Sequence, residues 1–192
     1  TNPVNLYQHL FSDRDFDLYD KNGDWEEQQK KLDERREMAI SEILQQNGAE
    51  GVLQFAESVS SPRQVGNSLG VIADDALEQF FLPQFLTSAD NKHRELVSGF
   101  IWRRWHLNGW DWCDGIDKSD WTPEQIGQFL ACTPFTKEAW DRSSVWLQEN
   151  ESEYWTRTGV NAYQADGDLA IAIEKLIEYA RPHAPYKAAD YC

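Results

Sequence analysis

Between Asn91 and Leu107 the apolar residues return at helical spacing. Leu96, Val97, Phe100, Ile101 and Trp105 share one face, while Arg94, Glu95, Ser98 and Arg103 fall elsewhere. That pattern fits an α-helix with one buried side and no β-strand, whose buried residues alternate. The signature recurs along the chain. Asp24 to Gln46 predicts a long helix capped by Asp24, with Glu26–Lys30 and Glu27–Lys31 as i,i+4 pairs and Leu32, Ala39, Ile40, Ile43 and Leu44 as its stripe. Its first half is nearly all charged and is expected to be exposed. Asn47-Gly48 is expected to end it as a left-handed C-cap.

Further helices are predicted at Val4–Phe11, at Ala49–Val59, from Ser61-Pro62, and at Ala76–Leu86 with a bend at Pro83. Thr122-Pro123-Glu124-Gln125 reads as a capping box with Pro at the first helical position. Thr136 opens another helix bearing Trp140 and Leu147, and Asp168–Ala180 carries Leu169, Ala172, Ile173, Leu176, Ile177 and Ala180 as its buried stripe. Asn108–Trp121 is expected to be a loop. No segment joins β-branched enrichment to period-two alternation. The expected class is therefore all-α: eight or nine short antiparallel helices stacked as helical hairpins, α-solenoid-like, or else a compact α-bundle. Leu53, Phe55, Phe81, Phe85, Phe100, Ile101, Phe129, Leu130, Ile173 and Leu176 are the expected core.

Charge narrows the function. The 192 residues hold 33 acidic against 18 Lys plus Arg, a net charge of −15. A field of that sign repels phosphate backbones, which argues against a nucleic-acid partner. No apolar run approaches the ~20 residues of a membrane span. Cys113, Cys132 and Cys192 fit neither a disulfide framework nor a zinc spacing, which points to a reducing, cytoplasmic setting. The expected organisation is one helical domain over 1–192, with 1–23 as an N-terminal extension, 49–180 as a repeat-like core and 181–192 as a Pro-containing tail. Thr1 in place of an initiator Met, and Arg181-Pro182-His183-Ala184-Pro185 near the end, read as the edges of a module cut from a longer chain or, at the start, as N-terminal processing.

Phe81-Leu82-Pro83-Gln84-Phe85-Leu86, followed by Asp90, Arg94 and Val97, resembles a HEAT-type repeat. In that family one helix ends in Leu-Pro-x-Leu, an Asp marks the turn and the second helix carries an Arg. Leu53-Gln54-Phe55-Ala56 with Pro62 and Val65-Gly66 looks like a looser copy, and Gln128-Phe129-Leu130 with Pro134 and Ala139-Trp140 like a third. Phe55, Phe85 and Phe129 are spaced by 30 and then 44 residues, near the period of helical repeats. Gly167-Asp168-Leu169-Ala170-Ile171-Ala172-Ile173 is similar to the second helix of a tetratricopeptide repeat. The resemblance implies a scaffold or binding surface and carries over no catalytic residue.

Nine tryptophans stand out, five of them from Trp102 to Trp121. Large aromatics can anchor a long loop, or they can form a recognition surface, since Trp, Tyr and Arg dominate binding hot spots. Arg103, Arg104 and His106 precede Asp111, Asp114, Asp117 and Asp120. These charges can pair with one another across the turn, or the arginines can meet an acidic or phosphorylated peptide. Trp102, Arg103, Arg104, His106, Trp110, Asp111, Trp112, Asp114 and Trp121 form the expected partner-binding set, for a protein or peptide or for flanking domains of a parent chain. The rival reading is a carbohydrate-binding or saccharide-processing domain, with Trp rings as stacking platforms and Asp111 or Asp114 as the acid. A third is a structural spacer.

Asp20, Asn22 and Asp24 resemble the start of a calcium loop, but Trp25 stands at the glycine position and Lys31 at that of the bidentate Glu. A capped helix start explains them better. His9, His93, His106 and His183 form no His-x-x-x-His or His-Glu-x-x-His pair, and the i,i+4 pair Trp102 and His106 reads as packing. No nucleophile elbow, phosphate loop or dinucleotide fingerprint occurs. The function expected is non-catalytic, with no catalytic residue, metal or cofactor.

Overall fold

The computed structural model describes residues 6–12, 23–165 and 167–179. The calcium-loop residues Asp20 and Asn22, Cys192 and the 181–192 tail lie outside them. The described residues are mainly helical and contain no strand, as the periodicity requires. Among the described residues eight α-helices follow in order: α1 (Trp25–Ser58), α2 (Pro62–Ile72), α3 (Asp75–Phe81), α4 (Asn91–Gly115), α5 (Pro123–Ala131), α6 (Lys137–Leu147), α7 (Ser152–Trp155) and α8 (Leu169–Glu178). Short 3₁₀ turns lie at Gln8–Phe11 and Gln148–Asn150. The chain divides into two compact units, Thr1–Asp114 and Gly115–Cys192.

In the first unit, α1 begins where Asp24 accepts hydrogen bonds from Glu26 N at 2.8 Å and Glu27 N at 3.2 Å. The expected stop at Asn47-Gly48 is a joint instead: Gly48 takes φ 69° and ψ −170°, and the helix resumes beyond it. That backbone is not left-handed helical. It belongs to a region open essentially to glycine alone, so the chain turns and re-enters a helix. Gly109 does the same inside α4, with φ 65° and ψ −157°. The loop expected at Asn108–Trp121 is therefore helical as far as Gly115. The turn-forming pair Asn108-Gly109 redirects the chain, and Asn108 Nδ2 closes the preceding turn on Arg104 O at 3.0 Å. The helix expected over Ala76–Leu86 stops at Phe81, and turns run from Leu82 to Thr87. Proline lacks the N–H and disfavours helical backbone in the residue before it.

The core of this unit gathers Phe11, Ile40, Ile43, Phe55, Leu69, Phe81, Phe100 and Ile101, all fully or nearly fully buried. The described part of the 1–23 stretch belongs to it. Phe11 meets Phe55 edge-on at 5.2 Å, and the buried Arg36 donates from Nε to Leu10 O at 2.7 Å. Of the expected core, Leu53, Phe85 and Ile173 are only half-buried.

α2 and α4 cross at backbone contact. A Cβ on Gly66 would lie 1.9 Å from Leu96 O, and one on Gly99 would lie 2.1 Å from Arg63 O. This approach brings the polar residues beside the crossing, Gln64 and Asn67 on α2 and Arg103 on α4, to one cleft.

In the second unit, Thr122 Oγ1 accepts from Gln125 N at 3.2 Å while Thr122 N donates to Gln125 Oε1 at 2.9 Å, the reciprocal capping box. α5 packs on α6 and α7 around Phe129, Leu130, Phe135, Trp140, Tyr154 and Trp155. α8 follows the expected stripe only in part: Ala172 and Leu176 are buried, Leu169 and Ile173 are half-buried, Ile177 is exposed, and Ala180 lies outside the described residues. It is anchored by a polar cluster. Glu151, whose side chain is 8% exposed, accepts from Lys175 Nζ at 3.0 Å, from Tyr179 Oη at 3.1 Å, from Ser143 Oγ at 3.3 Å and from Ser144 Oγ. Burial alone would raise its pKa. The Ser144, Lys175 and Tyr179 hydrogen bonds and the Lys175 charge outweigh that and hold the carboxyl below the ordinary range.

Candidate functional site

The nine residues expected at the partner surface fall in several settings. Arg104 is held inside the first unit. Its Nη2 donates to Glu78 Oε1 at 3.1 Å, Trp112 Nε1 donates to Glu78 Oε2, and the guanidinium lies 5.6 Å from the centre of the Trp112 ring. Arg104 and Glu78 side chains are 16% and 15% exposed, so this charge-assisted cluster is partly desolvated and ties α3 to α4. Trp102 stacks obliquely with Trp105 at 6.0 Å, and Trp105 meets Trp110 edge-on at 5.9 Å. Asp111 and Asp114 are exposed. Trp121 belongs to the second unit, where its ring meets Phe129 edge-on at 5.5 Å.

Two basic residues of α4 pair with carboxylates on distant helices. Arg103 lies 3.8 Å from Glu37 on α1, and Arg104 turns to Glu78 on α3.

Trp102, Arg103 and His106 do come together, at a cleft of about 310 Å³. Its other walls are Gln29, Asp33 and Glu37, spaced i,i+4 along α1, and Gln64, Asn67 and Ser68 of α2. The Oδ1 of Asn67 is buried there without a hydrogen-bond partner. A second groove of about 560 Å³ shares Gln29, Asp33, Glu37 and Arg103 and extends along the front of α1 to Trp25, Glu26, Lys30 and Glu34. Trp25 is 60% exposed.

The electrostatics of this surface are acidic. Glu26, Asp33, Glu34 and Glu37 face it, against Lys30 and Arg103. Burial raises the Glu37 pKa, and the neighbouring Asp33 and Glu34 charges add to the rise, while Arg103 opposes it. A carboxylate crowded by like charges gains from a further cation, because each added positive group relieves that repulsion. What this arrangement can do chemically is receive a cation beside an aromatic face.

Sequence reasoning did not single out Trp25, Asp33, Glu37, Gln64 or Asn67. The available signal was the Gln29, Asp33, Glu37 spacing, a polar stripe on a helix whose opposite face is apolar.

No family model matches the chain, and neither a curated protein nor a solved structure shows significant similarity to it. No described helix is long and apolar enough to cross a membrane. Cys113 and Cys132 are both buried.

Proposed function

We propose that the protein is a non-catalytic interaction module whose first unit receives a Lys- or Arg-rich peptide segment of a protein partner along the front of α1. The observation that supports this is the solvent-exposed Trp25 ring standing in a groove lined by Glu26, Asp33, Glu34 and Glu37. A basic side chain laid over the indole gains cation–π attraction, and its charge meets carboxylates that otherwise repel one another. Trp102, Arg103 and His106 extend the surface into the neighbouring cleft. An acidic or phosphorylated partner fits less well, because Arg103 and Arg104 already face Glu37 and Glu78.

The reading includes a helical-repeat scaffold of HEAT type. Two features of the turn before α4 support it: Asp90 Oδ1 accepts from Lys92 N at 2.8 Å, and Arg94 Nη1 reaches back to Ser88 O. A saccharide in the smaller cleft is the second reading, supported by Trp102 beside the unsatisfied Asn67 Oδ1. Asp111 and Asp114 line neither cleft and supply no acid for it.

Titration with a Lys/Arg-rich peptide, a matched Glu-rich peptide and a panel of oligosaccharides separates these readings. The basic peptide is expected to bind with an affinity that falls as salt rises. Trp25→Ala and Glu34→Gln should each weaken it severalfold without changing the melting temperature. No binding of the basic peptide, or binding indifferent to both substitutions, would overturn the proposal.

A further inference from the structure

A different cluster lies in the first unit, away from the acidic groove. Glu57 sits in the last turn of α1, and Asp90 and His93 lie at the start of α4. One ligand atom from each lies within 4.8 Å of the others. His93 Nε2 is 2.7 Å from Glu57 Oε1 and 3.9 Å from Asp90 Oδ2. Donors bound at ~2.0–2.2 Å around a tetrahedral ion stand about 3.3–3.5 Å apart, so the two separations bracket what a zinc-sized ion requires.

The imidazole is already oriented. Its Nδ1 lies 3.1 Å from Ser88 Oγ, and its ring meets Phe85 edge-on at 5.2 Å. Before an ion binds, Nε2–H donates to Glu57 Oε1 at 2.7 Å; a metal ion would displace that proton, and Nδ1–H would then donate to the Ser88 hydroxyl, the arrangement that outer hydrogen bonds impose on metal-binding histidines. The ring is 15% exposed, whereas the Glu57 and Asp90 side chains are 44% and 48% exposed, so an ion has a path from solvent. Asp90 divides its oxygens, Oδ1 capping α4 at Lys92 N and Oδ2 facing His93.

Nearby charge disfavours a weakly held ion. Lys92 Nζ donates to the carbonyls of Glu57 and Val59, and the positive end of α4 adds to that charge. Two carboxylates under this field hold a hard cation such as Mg²⁺ poorly, since such ions rely on more oxygen ligands. An imidazole nitrogen suits the borderline transition ions instead.

We propose that Glu57, Asp90 and His93 form a three-ligand site for a divalent transition-metal ion of the zinc class, with water as its fourth ligand. The test is calorimetric titration of the full chain with Zn²⁺, together with the visible absorption of a Co²⁺-loaded sample. One Zn²⁺ per chain is expected, Mg²⁺ should not compete, and Co²⁺ should give the intense bands of a four-coordinate ion. Ser88→Ala keeps all three ligands and should weaken Zn²⁺ about tenfold by releasing the ring. His93→Gln and Glu57→Gln should remove the site. Glu57→Gln, at an exposed position, should leave the unliganded melting temperature unchanged while abolishing its rise with Zn²⁺. No stoichiometric Zn²⁺ binding, or binding that survives both His93→Gln and Glu57→Gln, overturns the proposal.

Discussion

Replacing Gly99 with alanine places a methyl group where the α2 backbone already stands. The added Cβ would lie 2.1 Å from Arg63 O, 3.0 Å from Arg63 C and 3.1 Å from Asn67 N. Ordinary contact begins at 3.4 Å, so the two helices have to part by about 1.3 Å. No rotamer change relieves this, because the obstruction is main chain on both sides. Overpacking a well-filled core costs about 1–3 kcal/mol, and a backbone obstruction belongs at the upper end, about 3 kcal/mol. At about 4 °C per kcal/mol for a domain near this size, thermal unfolding of the first unit should move down by about 12 °C. Helical circular dichroism followed through a thermal ramp measures it. Gly115→Ala is the control: a Cβ there meets nothing within 4 Å, and the change should stay within about 0.5 kcal/mol. Parting the helices also moves Arg103 away from the α2 side of its cleft, so binding at that surface should weaken in the fraction that remains folded. If Gly99→Ala melts within two or three degrees of the parent protein, the close crossing is not a feature of the folded chain and the account of the cleft fails with it.

Glu151→Gln keeps the shape of a buried carboxylate but deprives Lys175 and Tyr179 of a charged acceptor. Breaking a buried pair costs about 3–5 kcal/mol, and Lys175 is 31% exposed and can rehydrate, so a loss of about 2 kcal/mol in the second unit is expected by urea denaturation. Because the folded Glu151 carboxyl titrates below its unfolded value, its contribution is complete above the ordinary carboxylate range and is lost as pH falls through the lowered folded value. A stability-against-pH series should therefore show an acid limb that Glu151→Gln flattens; an unchanged limb would remove Glu151 as its cause. Trp112→Phe removes the N–H donated to Glu78 while keeping most of the ring, and should lower the stability of the first unit by about 1.5 kcal/mol. An unchanged urea midpoint would show that Glu78 does not depend on that donor.

The helices were legible where a local rule decides them. Asp24 and the Thr122–Gln125 box are settled by residues two or three positions away, and both are realised bond for bond. Asn47-Gly48 and Asn108-Gly109 carry the right residues for a break, but a break and a joint share that chemistry. Only the packing beyond each glycine makes the chain helical again, which is why the Trp110–Gly115 turns read as loop. The site was less legible for a related reason. Its walls come from residues 29–37, 64–68 and 102–106, the last two brought together by a crossing whose glycines give no periodic signal. Arg103 and Arg104 were recognisable as functional chemistry, yet Glu37 and Glu78 sit too far along the chain for spacing to pair them.

The indole pairs also give this chain a natural optical reporter. Trp102 and Trp105 lie 6.0 Å apart at 32° in the first unit, and Trp140 and Trp155 lie 5.9 Å apart at 42° in the second. Rings that close and that inclined share their electronic excitations, so each pair should produce a signed ultraviolet couplet that vanishes when its own unit melts. Removing one member of either pair would then assign each band, and the two halves of the molecule could be watched unfolding separately without any label attached.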